Sequence, residues 1–274
     1  MRHRTRVTRR AAVACAMFAL AVGLVLPATQ AGAQSARGGG GRELVGLFRL
    51  SAGSAVGDQL NGTYFRMLQP GASPTSGPFM KNANSSADGG LATLLQPGTA
   101  GGFRTNQYQA QPTPGFDSGG DSLADSITAP TAFFGVKFSI STNRIDLQTK
   151  TACAPPIVVL KNGKLTADLS SWAASWNNQN FNQGAPKPVP STQAKSPGEQ
   201  QAQQAWNLFS QRFLGAQSKA TVSGAGATGT YDPKTGQFVL QWTSLIVGGP
   251  FNGFTGLWHL AGVFHPSGRA GNGS

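Results

Sequence analysis

Residues 229–264, GTYDPKTGQFVLQWTSLIVGGPFNGFTGLWHLAGVF, decide the fold. Two apolar runs flank Gly248, Gly249, Pro250, Asn252 and Gly253, which reads as a pair of packed β-strands with a tight connection. Phe238, Leu240 and Trp242 alternate along the first run, and Trp258, Leu260 and Phe264 share a face of the last. Each strand therefore offers one apolar side to a common core. Pro250 interrupts a β-ladder, and the glycines around it reach backbone conformations that other residues resist. Asp232, before Pro233 in a DPKTG segment, reads as a turn initiator.

Working outward, the same grammar repeats. Segments 43–51 and 62–69 are strand candidates, with Asn61-Gly62 as a turn signal between them. Residues 132–140, AFFGVKFSI, read as one central strand placing Phe134, Val136, Phe138 and Ile140 on a single face. Ile157–Leu160 is followed by Asn162-Gly163, a hairpin signal, and then by KLTADLSSWAASWN. Trp172 and Trp176 would align on a helix as well as on a strand; the preceding hairpin and the Asn-rich exit favour strand. Residues 70–90 and 97–126 are loop-like. One helix is signalled at 197–214, with Ser196 as N-cap, Pro197 at the first helical position and Glu199 as capping partner. With 37 glycines and 17 prolines, short strands and many turns follow. The expectation is an all-β, two-layer sandwich or jelly-roll-like domain over 43–266 with that inserted helix.

The first ten residues carry five arginines, an apolar run follows, and Ala31-Gly32-Ala33 matches a cleavage site. A signal peptide over 1–33 is expected, by the general secretory or the twin-arginine route, then a flexible 34–42 and a disordered 267–274. Without that leader, 17 basic residues face 10 acidic ones, a net charge of +7 with no dense basic cluster. That balance suits loose attraction to anionic surfaces and gives nucleic-acid binding little support. Cys153 alone remains of the two cysteines, so no internal disulfide is expected, and a buried inert thiol is its ordinary reading.

Few residues could carry chemistry. Asp117, Asp121 and Asp125 occupy positions one, five and nine of the Gly-containing loop FDSGGDSLAD (116–125), a spacing that can direct carboxylates and carbonyls at calcium. A solvated turn with the aspartates capping backbone is the simpler reading of the same residues. His259, His265 and Cys153 have no paired zinc-ligand spacing. No G-x-S-x-G elbow is present, while Asp146, Asp168 and Asp232 could supply a glycosidase pair. Tryptophans in an all-β protein are more often core than sugar platforms.

DLSSWAASWNNQNFNQG (168–184) together with the GGPFNG-x-TG-x-W closing hairpin resembles a group of bacterial exported β-rich proteins of unknown function, and the likeness extends through GTYFRMLQPG and PTAFFGVKFSIST. It implies export and a β fold, and it transfers no functional residue. The expected function is that of a secreted, monomeric, non-enzymatic binding or cell-envelope-associated module contacting polysaccharide or an anionic envelope polymer, with calcium the one cofactor the pattern admits. A secreted carbohydrate hydrolase using paired aspartates and a purely structural domain stand beside it.

Overall fold

The computed structural model describes residues 40–57, 59–188 and 226–267, plus the backbone of Ala205–Asn207, Arg212–Leu214 and Val222–Ser223. The expected leader, and the expected C-terminal tail beyond Ser267, lie outside these residues. The chain is all-β: the one helical element described is the short 3-10 turn Ala87–Gly90.

A large, curled antiparallel sheet has as its spine the strands Ile157–Lys161, Lys164–Asp168, Ala227–Tyr231, Gln237–Leu245 and Thr255–Pro266, in that order, continuing to Gly46–Leu50 and Gly102–Arg104. A second sheet of four strands runs Gln179–Asn182, Trp172–Trp176, Val136–Thr142, Thr131–Phe133. The two pack face to face as a sandwich. Trp172 of the small sheet meets Trp242 and Trp258 of the large one at centroid distances of 5.4 and 6.0 Å, and Phe138 meets Trp258 at 6.4 Å.

The closing hairpin forms as its alternation requires. Gln237–Leu245 pairs with Thr255–Pro266 from Gln237↔Val263 to Leu245↔Thr255, with Phe238, Leu240, Trp242, Trp258, Leu260 and Phe264 all buried. In the connection, Gly248, Gly249 and Gly253 all have positive φ, and Asn252 Oδ1 accepts the Gly248 N–H at 2.8 Å. At the other end of the hairpin, the Asp232 carboxylate accepts from Lys234 N and Thr235 Oγ1, the role its DPKTG setting predicts. Asn162-Gly163 makes the expected hairpin with both φ angles positive, and 172–176 is a fully buried strand.

Three expectations need correction. The inserted helix at 197–214 is replaced, where the chain is described, by a strand pair: Ala205–Asn207 runs antiparallel to Arg212–Leu214. Trp206 and Phe213, which a helix would align two turns apart, are direct cross-strand partners instead; both periods place them on one face. The remainder of that span lies outside the described residues. The single strand at 132–140 is a hairpin, turned at Phe134 (φ 51°) and Gly135 (φ 80°), so Phe134 leaves the core at 39 % exposure. Finally, Gly46–Leu50 and Tyr64–Ser73 do not pair with one another. Both run along Thr255–Pro266, from Gly46↔Pro266 to Leu50↔Gly262 and from Tyr64↔His259 to Leu68↔Thr255, as two halves of one edge interrupted by the 51–63 excursion. Thr63 bridges the break by donating its hydroxyl to Ala261 O at 3.2 Å.

At two points the strands of this sheet approach too closely for a side chain. A Cβ on Gly262 would fall within the Arg49 carbonyl oxygen, and one on Gly229 within that of Val239. Both obstacles are backbone and cannot swing aside. Gly262→Ala is therefore expected to cost more than about 1 kcal/mol, Trp258→Ala about 3–5 kcal/mol, and exposed Thr228→Ala within about 0.5 kcal/mol, read by far-UV circular dichroism during urea unfolding.

Candidate functional site

The aspartates singled out for calcium are committed to their own turns. Asp117 Oδ1 accepts the backbone N–H groups of Gly119 (2.8 Å) and Asp121 (2.9 Å). Asp121 Oδ1 accepts Lys137 N at 2.8 Å, and its other oxygen lies 3.6 Å from Lys137 Nζ. Asp125 is exposed and contributes its backbone carbonyl to Thr99. Among the described residues, no group of three or more His, Cys, Asp or Glu side chains is placed to hold a metal ion.

A second assembly was not visible in the sequence. Lys187, in a stretch that showed no basic cluster, is 3 % exposed. Its Nζ donates to Asn182 O at 2.5 Å and lies 3.4 Å from Ser244 Oγ. Asn182 N donates to Gln148 Oε1 at 2.9 Å, and Gln148 Nε2 donates to Val247 O at 2.6 Å. Asp146, 0 % exposed, takes Thr149 N (2.5 Å), Thr149 Oγ1 (2.7 Å) and Gln148 N (3.1 Å) on one oxygen; its other oxygen has no hydrogen-bond partner among the described residues. Burial raises the Asp146 carboxyl above its usual range and lowers Lys187 to about 7, with each partly offsetting the other's shift. Burial also raises Asp168, whose Oδ1 accepts Ser170 N at 2.9 Å, and the Cys153 thiol, which both carboxylates push further up. A thiol held protonated and buried is inert. The network ties the 146–151 turn and the exit of Gln179–Asn182 to the end of Gln237–Leu245. It is a seam between segments, and neither Asp146 nor Asp168 presents an open carboxylate.

The uncovered outer face of the large sheet is the remaining candidate. Thr166, Thr228, Gln241, His259 and Tyr64 are successive cross-strand partners there. Tyr64 stacks on His259 at 4.5 Å, and Gln241 Nε2 lies 2.5 Å from His259 Nδ1. Burial lowers the His259 pKa, so the ring is neutral at pH 7. A neighbouring row runs Lys161, Lys164, Thr230, Val239, Ala261. Over its far end lies an open groove of about 400 Å³ bordered by Ser51, Thr230, Asp232, Gln237, Val239 and Val263. Two of its lining residues are paired with exposed cations, Val263 with Arg49 and Thr230 with Lys164; exposed Lys161 lies one strand further out, opposite Lys164, and exposed Lys234 sits in the Asp232 turn. Against these four cations the groove holds one carboxylate, Asp232. The four described tryptophans are all buried, so none forms a sugar-stacking platform on this face.

No helix among the described residues is long and apolar enough to cross a membrane. No family model, no curated protein and no solved structure matches the chain.

The buried lysine gives a pH signature. Below pH 7 it is charged in both states and its burial penalty is fully present. Between about 7 and 10.5 the unfolded chain binds the proton more tightly, so stability rises with pH. The raised Cys153 thiol works the other way above its ordinary value of 9.0, leaving pH 7 to 9 as the clean window. The urea midpoint is expected to rise across that window in the wild type and to stay flat in Lys187→Met; parallel slopes would show that Lys187 is not buried as a neutral amine.

Proposed function

We propose that this chain is an exported, non-enzymatic binding module that holds an anionic polysaccharide of the cell envelope on the outer face of its large sheet. The carrying observation is the open groove with one carboxylate within, whose lining residues Val263 and Thr230 are paired with exposed Arg49 and Lys164, with exposed Lys161 and Lys234 in the adjoining turns. An extended anionic polymer matches that charge, and the Thr and Gln side chains of the face supply hydroxyl and amide partners for sugar hydroxyls. The Arg-rich start and apolar run of the sequence support export. A paired-aspartate hydrolase has less support, because Asp146 and Asp168 are buried and spend oxygens on their own backbone. A purely structural role is favoured by the buried tryptophans alone, and the groove argues against it.

Binding to insoluble anionic and neutral glycans at low and high salt tests the reading. The wild type should sediment with the anionic polymer at low salt and be released near 1 M, where screening shortens to about 3 Å. The Arg49→Ala/Lys164→Ala double variant should bind at least about tenfold more weakly, the equivalent of about 1.4 kcal/mol. Equal binding by that variant, or none by the wild type at low salt, would remove the groove as the site.

A further inference from the structure

Strand register gives the outer groove a direction. Arg49 sits opposite Val263, Val263 opposite Gln237, and beyond it Asp232 N donates to Gln237 O. An anionic chain crossing the strands straight from Arg49 therefore ends on a carboxylate. One outward position along, Ala261, Val239 and Thr230 follow one another and lead to Lys164, with Lys161 opposite it on the next strand. A chain that leaves Arg49 and drifts by two residues as it crosses ends on cations instead.

A path along the strands has no such pair of ends. Gln237, Val239 and Gln241 on one strand and Thr228 and Thr230 on its neighbour are all uncharged. That direction meets charge in the Asp232 turn, where the carboxylate and Lys234 offset one another.

From Arg49 to Lys164 is four strand spacings with an offset of two residues, about 20 Å along the sheet. That exceeds the screening length of about 10 Å at 0.1 M salt, so the two cations act as separate anchors. A small anion engages one of them. A longer chain engages both, the second contact forming at the high effective concentration that the first creates.

We propose that the groove is a two-point anchor for a linear anionic oligosaccharide, which crosses the strands diagonally with one acidic group on Arg49 and another on Lys164. This rests on the outer groove being the polymer site and specifies its ligand: acidic groups spaced by about 20 Å on one chain, with single acidic sugars excluded as tight ligands.

Calorimetric titration of the full chain at low salt, with digalacturonate as the short probe and oligogalacturonates longer than the span as the long ones, is the test. The wild type should bind the long oligomers at least about tenfold more tightly than digalacturonate. In Arg49→Ala, and separately in Lys161→Ala/Lys164→Ala, that length advantage should fall to about threefold or less. Both variants change exposed side chains, so their far-UV spectra should match the wild type. A length advantage that survives either variant, or affinity that rises evenly from the dimer upward, would overturn the two-point anchor and leave the groove as the binding face. No binding at any length would remove the groove, and the anchor with it.

Discussion

Three indole rings hold the layers together. Trp242 and Trp258 are direct partners across the closing hairpin and stack at 5.9 Å and 16°, while Trp172 from the facing sheet stands edge-on to both, at 90° and 76°. Such rings bury large apolar areas and add a directional preference that aliphatic side chains lack. Each also carries one N–H that burial makes expensive to leave alone. Gln183 meets two of the three needs, its backbone oxygen accepting Trp242 Nε1 at 2.9 Å and its side-chain oxygen accepting Trp258 Nε1. The third, Trp172 Nε1, is buried without a partner among the described residues. The position of Gln183, just past the Gln179–Asn182 strand, is therefore tied to the position of the hairpin it serves.

Beside this aromatic centre runs the polar seam of Asp146, Gln148, Asn182 and Lys187. Burying an amine and a carboxyl is unfavourable, and hydrogen bonding offsets that only in part. What the seam supplies is registration: its bonds reach Val247 and Ser244 at one end of the hairpin and the 146–151 turn at the other. Apolar contacts alone tolerate sliding by a residue pair; donors and acceptors at fixed positions do not. The polar network is thus a complement to the tryptophans, fixing the offset at which the two sheets meet.

Much of this was legible in the residues. Period-two alternation gave the closing hairpin, Asn162-Gly163 gave the turn between Ile157–Lys161 and Lys164–Asp168, and the Asn-rich exit correctly separated strand from helix at Trp172 and Trp176. The failures share a cause. Trp206 and Phe213 satisfy both a helical and a hairpin spacing, so local pattern could not choose between them. Phe134 hid a turn because a large aromatic at positive φ is rarely encountered, and only Gly135 after it hinted at the break. Of the sites, the turn-capping role of Asp117 and Asp232 was readable locally. The burial of Lys187 was not, because beside the nearby Asn182 it depends on Ser244, 57 positions further along the chain. The outer groove was equally hidden, since Arg49 and Lys164 come to the same face of the large sheet only through strand order.

The divided edge has a consequence in time. Gly46–Leu50 and Tyr64–Ser73 are made early, yet both find their partner in Thr255–Pro266, with Gly46 opposite Pro266. Until that strand exists, two early segments and the Gln237–Leu245 strand each have one open edge, and no shorter intermediate can complete the large sheet. Loop closure across some two hundred residues is slow, and unpaired strands invite association with other chains while they wait. The fold therefore cannot be finished piecemeal from its beginning: the chain stays open until its last strand arrives, and then closes as a unit.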